Sequence, residues 1–144
     1  MNLERRTPPT AMLIAVTMTG PLALNIFQPS MPHMARVFAT DYATIQLSLT
    51  LFLAGVAVGQ LFYGPLSDRF GRRPVLLGGL MLYVVASLVA MVAPTVEFLI
   101  LGRIAQALGG CAGMVLTRAI VRDIYTRDRA ASVLAYIVMA MAVA

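Results

Sequence analysis

The apolar positions of this chain come in long unbroken runs, not in the period-two alternation of a half-buried strand. No charged side chain falls within 7–35, 42–67, 74–96 or 104–117. A membrane helix needs about 20 mostly apolar residues at 1.5 Å each. The runs predict helix 1 over 11–32, helix 2 over 43–66, helix 3 over 74–94 and helix 4 over 97–118. Helix 4 reaches spanning length only by taking in Arg103. A fifth apolar stretch, 130–144, covers ~22 Å of a ~30 Å hydrocarbon core, so it reads as a helix 5 cut short. Segments 1–10, 67–73 and 119–129 are left as a tail and two polar loops. Thr95 suits an N-cap, with Glu97 against the positive end of the helix 4 dipole.

Composition strengthens the membrane reading. Of 144 residues, 60% are hydrophobic and 12% charged, against about 45–50% and 25% in soluble domains. That excludes a soluble globular enzyme, a disordered segment and a disulfide scaffold; the single Cys111 has no intrachain partner. The partner of such a surface is the lipid bilayer. The net charge of +5 comes from 11 basic residues, all of them Arg. In a soluble protein this excess would suggest nucleic acid, but its placement gives another cause. Arg5 and Arg6 precede helix 1, Arg69, Arg72 and Arg73 follow helix 2, and Arg118, Arg122, Arg127 and Arg129 close helix 4 and its loop. The alternate loops hold only Arg36. The positive-inside rule puts the N-terminus in the cytoplasm of a multi-pass inner-membrane protein, with no nucleic-acid partner. A cleaved signal peptide would have a shorter apolar run than helix 1.

Polar residues at membrane depth carry information because they are costly there. Helix 1 lines up Thr17, Pro21, Asn25, Gln28 and Pro32 at steps of three and four. Two readings fit: the wall of a wet cavity, where water or substrate satisfies the amides and the freed carbonyls, or glue between helices. Helix 4 has a second such face in Arg103, Gln106, Gly110, Gly113 and Thr117. Arg103 either snorkels to the outer interface or faces the interior; Gln106, a turn deeper, favours the interior. Gly55 and Gly59 in helix 2, and Gly109 and Gly113 in helix 4, have the spacing that lets helices approach closely. His33 has no Cys or acid at ligand spacing and reads as a solvated loop residue, so no metal is expected. No nucleophile–base pairing suggests an enzyme.

The most specific stretch is Gly64-Pro65-Leu66-Ser67-Asp68-Arg69-Phe70-Gly71-Arg72-Arg73-Pro74. Gly64 reads as a close-packing position, Gly71 as a positive-φ turn residue, and Pro74 as the start of helix 3, where a missing N–H costs nothing. This stretch, lying between helices 2 and 3, resembles the loop signature of the major facilitator superfamily. Arg103-Ile104-Ala105-Gln106-Ala107-Leu108-Gly109-Gly110 is similar to that family's helix 4 motif, and Gln28-Pro29-Ser30-Met31-Pro32 to the outer end of its helix 1. The run Ala105–Met114, followed by Arg118-Ala119-Ile120-Val121-Arg122-Asp123, is most similar to the Bcr/CflA drug-resistance branch.

The resemblance implies an all-α integral membrane fold, the first four and a half helices of a twelve-helix secondary transporter with a midplane site. It implies proton-coupled efflux of amphiphilic drug-like compounds by alternating access, with the proton as coupling ion and no other cofactor. It implies that helices 1 and 4 line the cavity, with Asn25, Gln28, Arg103 and Gln106 as candidates. It implies a conformational role for Gly64, Asp68, Arg69, Gly71, Arg72 and Arg73. Asp68 would dock on the other half of the transporter, and Arg72 would pair with Asp123. Two departures stand out. Helix 1 carries Asn25 where relatives often have an acid, and an amide cannot release a proton near neutral pH. The chain also stops inside helix 5, so it is expected to be an N-terminal fragment, inactive without the C-terminal half. The alternatives are a sugar or metabolite porter of the same superfamily, and a small self-assembling membrane protein complete at this length.

Overall fold

Five helices account for nearly all of residues 9–143, which are the residues described in the computed structural model. They are α1 (Thr10–Val37), α2 (Tyr42–Phe70), α3 (Arg72–Met91), α4 (Val96–Ile124) and α5 (Arg127–Val143). The first four are long and apolar enough to cross a membrane. The tail expected at 1–10, with Arg5 and Arg6, lies almost wholly outside the described residues.

Most helices run further than the charge pattern suggested. α1 does not stop at Pro32; it carries Pro21, Pro29 and Pro32 inside and continues to Val37. Packing explains the extension. Phe27 and Met31 bury against Ile45, and Met34, Ala35 and Phe38 carry the same contact past the last proline. The loop expected at 67–73 is a correction as well. Ser67 to Phe70 are the last turn of α2, and α3 begins at Arg72, so the connection is Gly71 alone. Gly71 adopts φ +92°, and its N–H donates to the Ser67 carbonyl at 3.0 Å. Pro74 is therefore the third residue of α3, still among the first N–H positions that need no helical partner. α3 ends at Met91, short of the expected 94.

The loop expected at 119–129 shrinks to Tyr125–Thr126, because α4 runs to Ile124 and α5 begins at Arg127. Val121 is the reason: it is fully buried against Leu13, Ala130, Val133 and Ile137, holding this last turn of α4 and the first turns of α5 in one apolar cluster. A 29-residue helix such as α2 or α4 is ~43 Å long, matching the ~40–45 Å of core plus headgroups. Charges at the interface therefore stay helical; they mark depth and do not mark loops.

α4 is the hub. It packs on α1, α2, α3 and α5, and 61% of its spanning window is buried against 17–28% in the other three spans. Small residues make this possible. A Cβ on Gly55 would come within 3.0 Å of the Ala107 Cβ, and one on Gly59 within 3.2 Å of the Cys111 Cβ. One on Gly109 would meet the Tyr83 backbone and sit 2.7 Å from the Gly79 carbonyl oxygen, and one on Gly113 would meet the Val16 carbonyl. Gly64 departs from its expected role, since nothing lies within 4 Å of its Cβ position. Large apolar side chains such as Leu61, Met81 and Met91 point outward, as lipid-facing positions should.

Candidate functional site

Polar chemistry gathers at one buried cluster and two exposed surfaces. The cluster is centred on Arg103, near the N-terminal end of α4 and only 4% exposed. Its two Nη atoms donate to the Ala23 carbonyl of α1 at 3.3 and 3.4 Å, and Nη1 also donates to Gln106 Oε1 at 2.7 Å. The guanidinium lies 4.0 Å from the Phe27 ring centroid and 4.6 Å from that of Phe52. Gln106 Nε2 donates to Ser87 Oγ at 2.8 Å, Ser87 donates to the Tyr83 carbonyl at 2.7 Å, and the Tyr83 hydroxyl donates to the Thr19 carbonyl at 3.1 Å. The relay ties α1, α3 and α4 together. No carboxylate within ion-pair distance balances the charge among the described residues, and Arg103 Nε is buried without an acceptor. Aromatic faces and a charge-assisted carbonyl bond are what hold such a cation in low dielectric. Beside the cluster, a cavity of about 380 Å³ opens between α1, α3 and α4, bordered by Ile26, Ser30 and Tyr83.

Asn25 and Gln28 are not part of this cluster. Both are exposed, on the side of α1 away from the buried Ala23, Phe27 and Met31. The four cavity candidates thus split into two pairs. The Asn25–Gln28 surface has its own logic. A proline has no N–H and frees the carbonyl four residues earlier. Pro29 and Pro32 therefore free the carbonyls of the same two residues, so side-chain amides and unsatisfied backbone acceptors share one surface of a spanning helix.

The other exposed site is the Gly71 corner. Arg72 Nη1 pairs with Asp68 Oδ1 at 2.8 Å, and Nε donates to Asp123 Oδ2 at 3.1 Å. Arg72 also donates to Ser67 Oγ, whose hydroxyl donates to the Gly64 carbonyl at 2.9 Å. One guanidinium so joins the ends of α2, α3 and α4. Asp68 is 65% exposed and keeps acceptor capacity for a further donor. Arg69 stands 5.3 Å over the Phe70 ring, and Arg73 is exposed.

Sequence reasoning missed Phe27, Phe52 and Ser87. Ser87 was findable as the polar position one turn after Tyr83 in an otherwise apolar helix. The phenylalanines carried no signal, because any apolar residue suits a membrane helix. His33 is exposed, Cys111 is buried with its thiol donating to the Val56 carbonyl at 3.4 Å, and no cluster of three or more His, Cys, Asp or Glu side chains occurs among the described residues.

Comparison with known proteins bears on this arrangement. The family model described as Major Facilitator Superfamily matches residues 13–144. The Chloramphenicol resistance protein of Pseudomonas aeruginosa is 48% identical over 104 residues, 72% of this chain and 25% of that protein. Multidrug resistance protein D of Escherichia coli (strain K12) is 35% identical over 129 residues, 90% of this chain and 33% of that protein. The Bicyclomycin resistance protein homolog of Haemophilus influenzae is 30% identical over 140 residues, 96% of this chain and 35% of that protein. The chain spans between a quarter and about a third of the length of these curated relatives.

Proposed function

The chain belongs to the Major Facilitator Superfamily, and on that premise we propose that it forms part of a secondary active transporter exporting amphiphilic, drug-like compounds by alternating access. It carries out transport and no catalysis, and needs no cofactor beyond a proton as coupling ion. It sits in the inner membrane with its N-terminus in the cytoplasm. Further membrane helices complete the cavity and supply the surface on which Asp68 docks.

The observation that carries this reading is the Asn25–Gln28 surface. Two exposed amides and two carbonyls that lose their N–H partners to Pro29 and Pro32 share one stretch of a spanning helix. Lipid tails cannot satisfy them, and each unsatisfied group costs several kcal/mol there. A wet substrate path satisfies all four. The names of the relatives, which speak of chloramphenicol, bicyclomycin and multidrug resistance, support drug-like substrates for that path. The acids of the described residues, Asp41, Asp68, Glu97, Asp123 and Asp128, lie at or beside helix ends. The titrating carboxyl for proton coupling is therefore assigned to helices outside this chain.

The test is efflux of chloramphenicol and ethidium from cells expressing the complete reading frame. Asn25→Ala with Gln28→Ala should cut efflux by roughly tenfold, the effect of about 1.4 kcal/mol lost from transport-state contacts, while the protein still inserts. Collapse of the pH gradient should abolish the wild-type flux. Undiminished efflux by the double variant contradicts the assignment.

A further inference from the structure

A basic corner between α4 and α5 serves neither the Arg103 cluster nor the Arg72 network. There Arg122, Tyr125 and Arg127 border a groove of about 520 Å³ whose other lining residues are Ala130, Ala131 and Leu134. Arg122 lies in the last turn of α4 and Arg127 opens α5, and both are exposed. Among the described residues, no carboxylate lies within ion-pair distance of either arginine, and the adjacent Asp123 is held by Arg72 instead. Arg129 adds charge nearby, 5.9 Å from the Tyr125 ring.

The groove combines two chemistries along one direction. Cations stand at the helix ends, where phospholipid headgroups lie. Ala130, Ala131 and Leu134 continue down α5 towards the hydrocarbon, as an acyl chain does. Topogenic arginines need no shared groove and no apolar floor. A free phosphate would use the arginines and leave the floor idle. Basic pockets between membrane helices are a recognised setting for anionic headgroups.

We propose that the α4–α5 groove holds an anionic phospholipid, its phosphate on Arg122 and Arg127 and its first acyl carbons over Ala130, Ala131 and Leu134. The bound lipid bridges the two-residue break at Tyr125–Thr126. The site is independent of what the transporter carries, because the Asn25–Gln28 surface lies on a different helix.

Native mass spectrometry of the complete gene product, purified in detergent, tests this with phosphatidylglycerol, phosphatidylcholine and inorganic phosphate as separate additions. Phosphatidylglycerol should be retained in preference to phosphatidylcholine, and inorganic phosphate at the same concentration should not displace it. Arg122→Gln with Arg127→Gln should weaken retention by about thirtyfold, given ~1 kcal/mol per basic residue at a membrane surface. Leu134→Ser, which makes the floor polar and keeps both arginines, should also weaken it, whereas Arg36→Gln at the opposite end of the bundle should not. Equal retention of the two lipids, or undiminished retention in the double glutamine variant, overturns the proposal. Displacement by inorganic phosphate would make this a free-anion site and overturn it equally. If the double glutamine variant fails to insert, Leu134→Ser decides: undiminished retention there overturns the lipid site.

Discussion

Arg103 poses a physical question that a single substitution answers. An arginine costs ~2.5–3.5 kcal/mol at the centre of a spanning helix on insertion scales, and less towards a helix end, where Arg103 lies. Here two phenylalanine faces, the Ala23 carbonyl and Gln106 offset that cost. Removing a buried charge that has no ion-pair partner relieves its desolvation cost, which offsets the donor that Gln106 Oε1 loses. Arg103→Met should therefore leave the thermal midpoint little changed, while reducing efflux. Arg103→Lys should lower stability by about 1–2 kcal/mol, because a point charge cannot fill the slot between two rings and keep both hydrogen-bond partners. Thermal unfolding and efflux on the same preparations separate the two effects; a large stability loss in Arg103→Met would make the arginine chiefly structural. Asp68 behaves differently. Its exposed pairing with Arg72 contributes ~0–1 kcal/mol, and Asp123 keeps Arg72 in place. Asp68→Asn should leave insertion intact and impair efflux; unchanged efflux would count against a docking role. The sequence left open whether Arg103 turns inward or snorkels, since both use the same residue at the same depth. The answer depends on Phe27 and Phe52, which no local pattern singles out.

At the scale of helices, small residues set how closely the elements approach. Gly109 and Gly64 illustrate the contrast. A Cβ on Gly109 would press on the Tyr83 backbone and the Gly79 carbonyl, atoms that cannot move without parting α3 from α4; one on Gly64 meets nothing within 4 Å. Gly109→Ala should cost about 1–3 kcal/mol by overpacking and Gly64→Ala far less, as read from thermal unfolding in detergent. Both glycines belong to motifs quoted from the sequence, so motif membership alone does not give a packing role. Existence and order of the helices were legible from the apolar runs. Their ends were not, for a consistent reason: charge and proline signal a helix end in water. At a membrane interface a charged turn stays helical with its side chains among headgroups, and neighbouring helices tolerate proline within a span. α1 beyond Pro32 and α4 beyond Arg118 show both effects. Gly71 was the exception, because its φ of +92° with ψ of 151° lies in a region essentially confined to glycine.

The whole molecule has two unlike ends. The Arg72 network, the α4–α5 groove and most of the arginines lie at one. The α1–α2 and α3–α4 connections meet at the other, where residues 37–40 and 94–97 border a common hollow. The topology proposed from the arginine asymmetry has the first end in the cytoplasm. Reporter fusions at Thr40 and Pro94 should accordingly report an external location, and those at Gly71 and Thr126 a cytoplasmic one; the reverse pattern would invert the proposed topology. Between these ends runs the claim on which the functional reading depends, that the Asn25–Gln28 surface faces water and not lipid. Cysteine accessibility tests it most directly. In a Cys111→Ser background of the complete gene product, Asn25→Cys, Gln28→Cys and the lipid-facing Leu61→Cys are each treated with a membrane-impermeant maleimide. Labelling needs hydrated thiolate. Positions 25 and 28 should react roughly tenfold faster than 61, and added substrate should slow them. Equal, slow labelling at all three positions would place that surface in lipid and contradict the account.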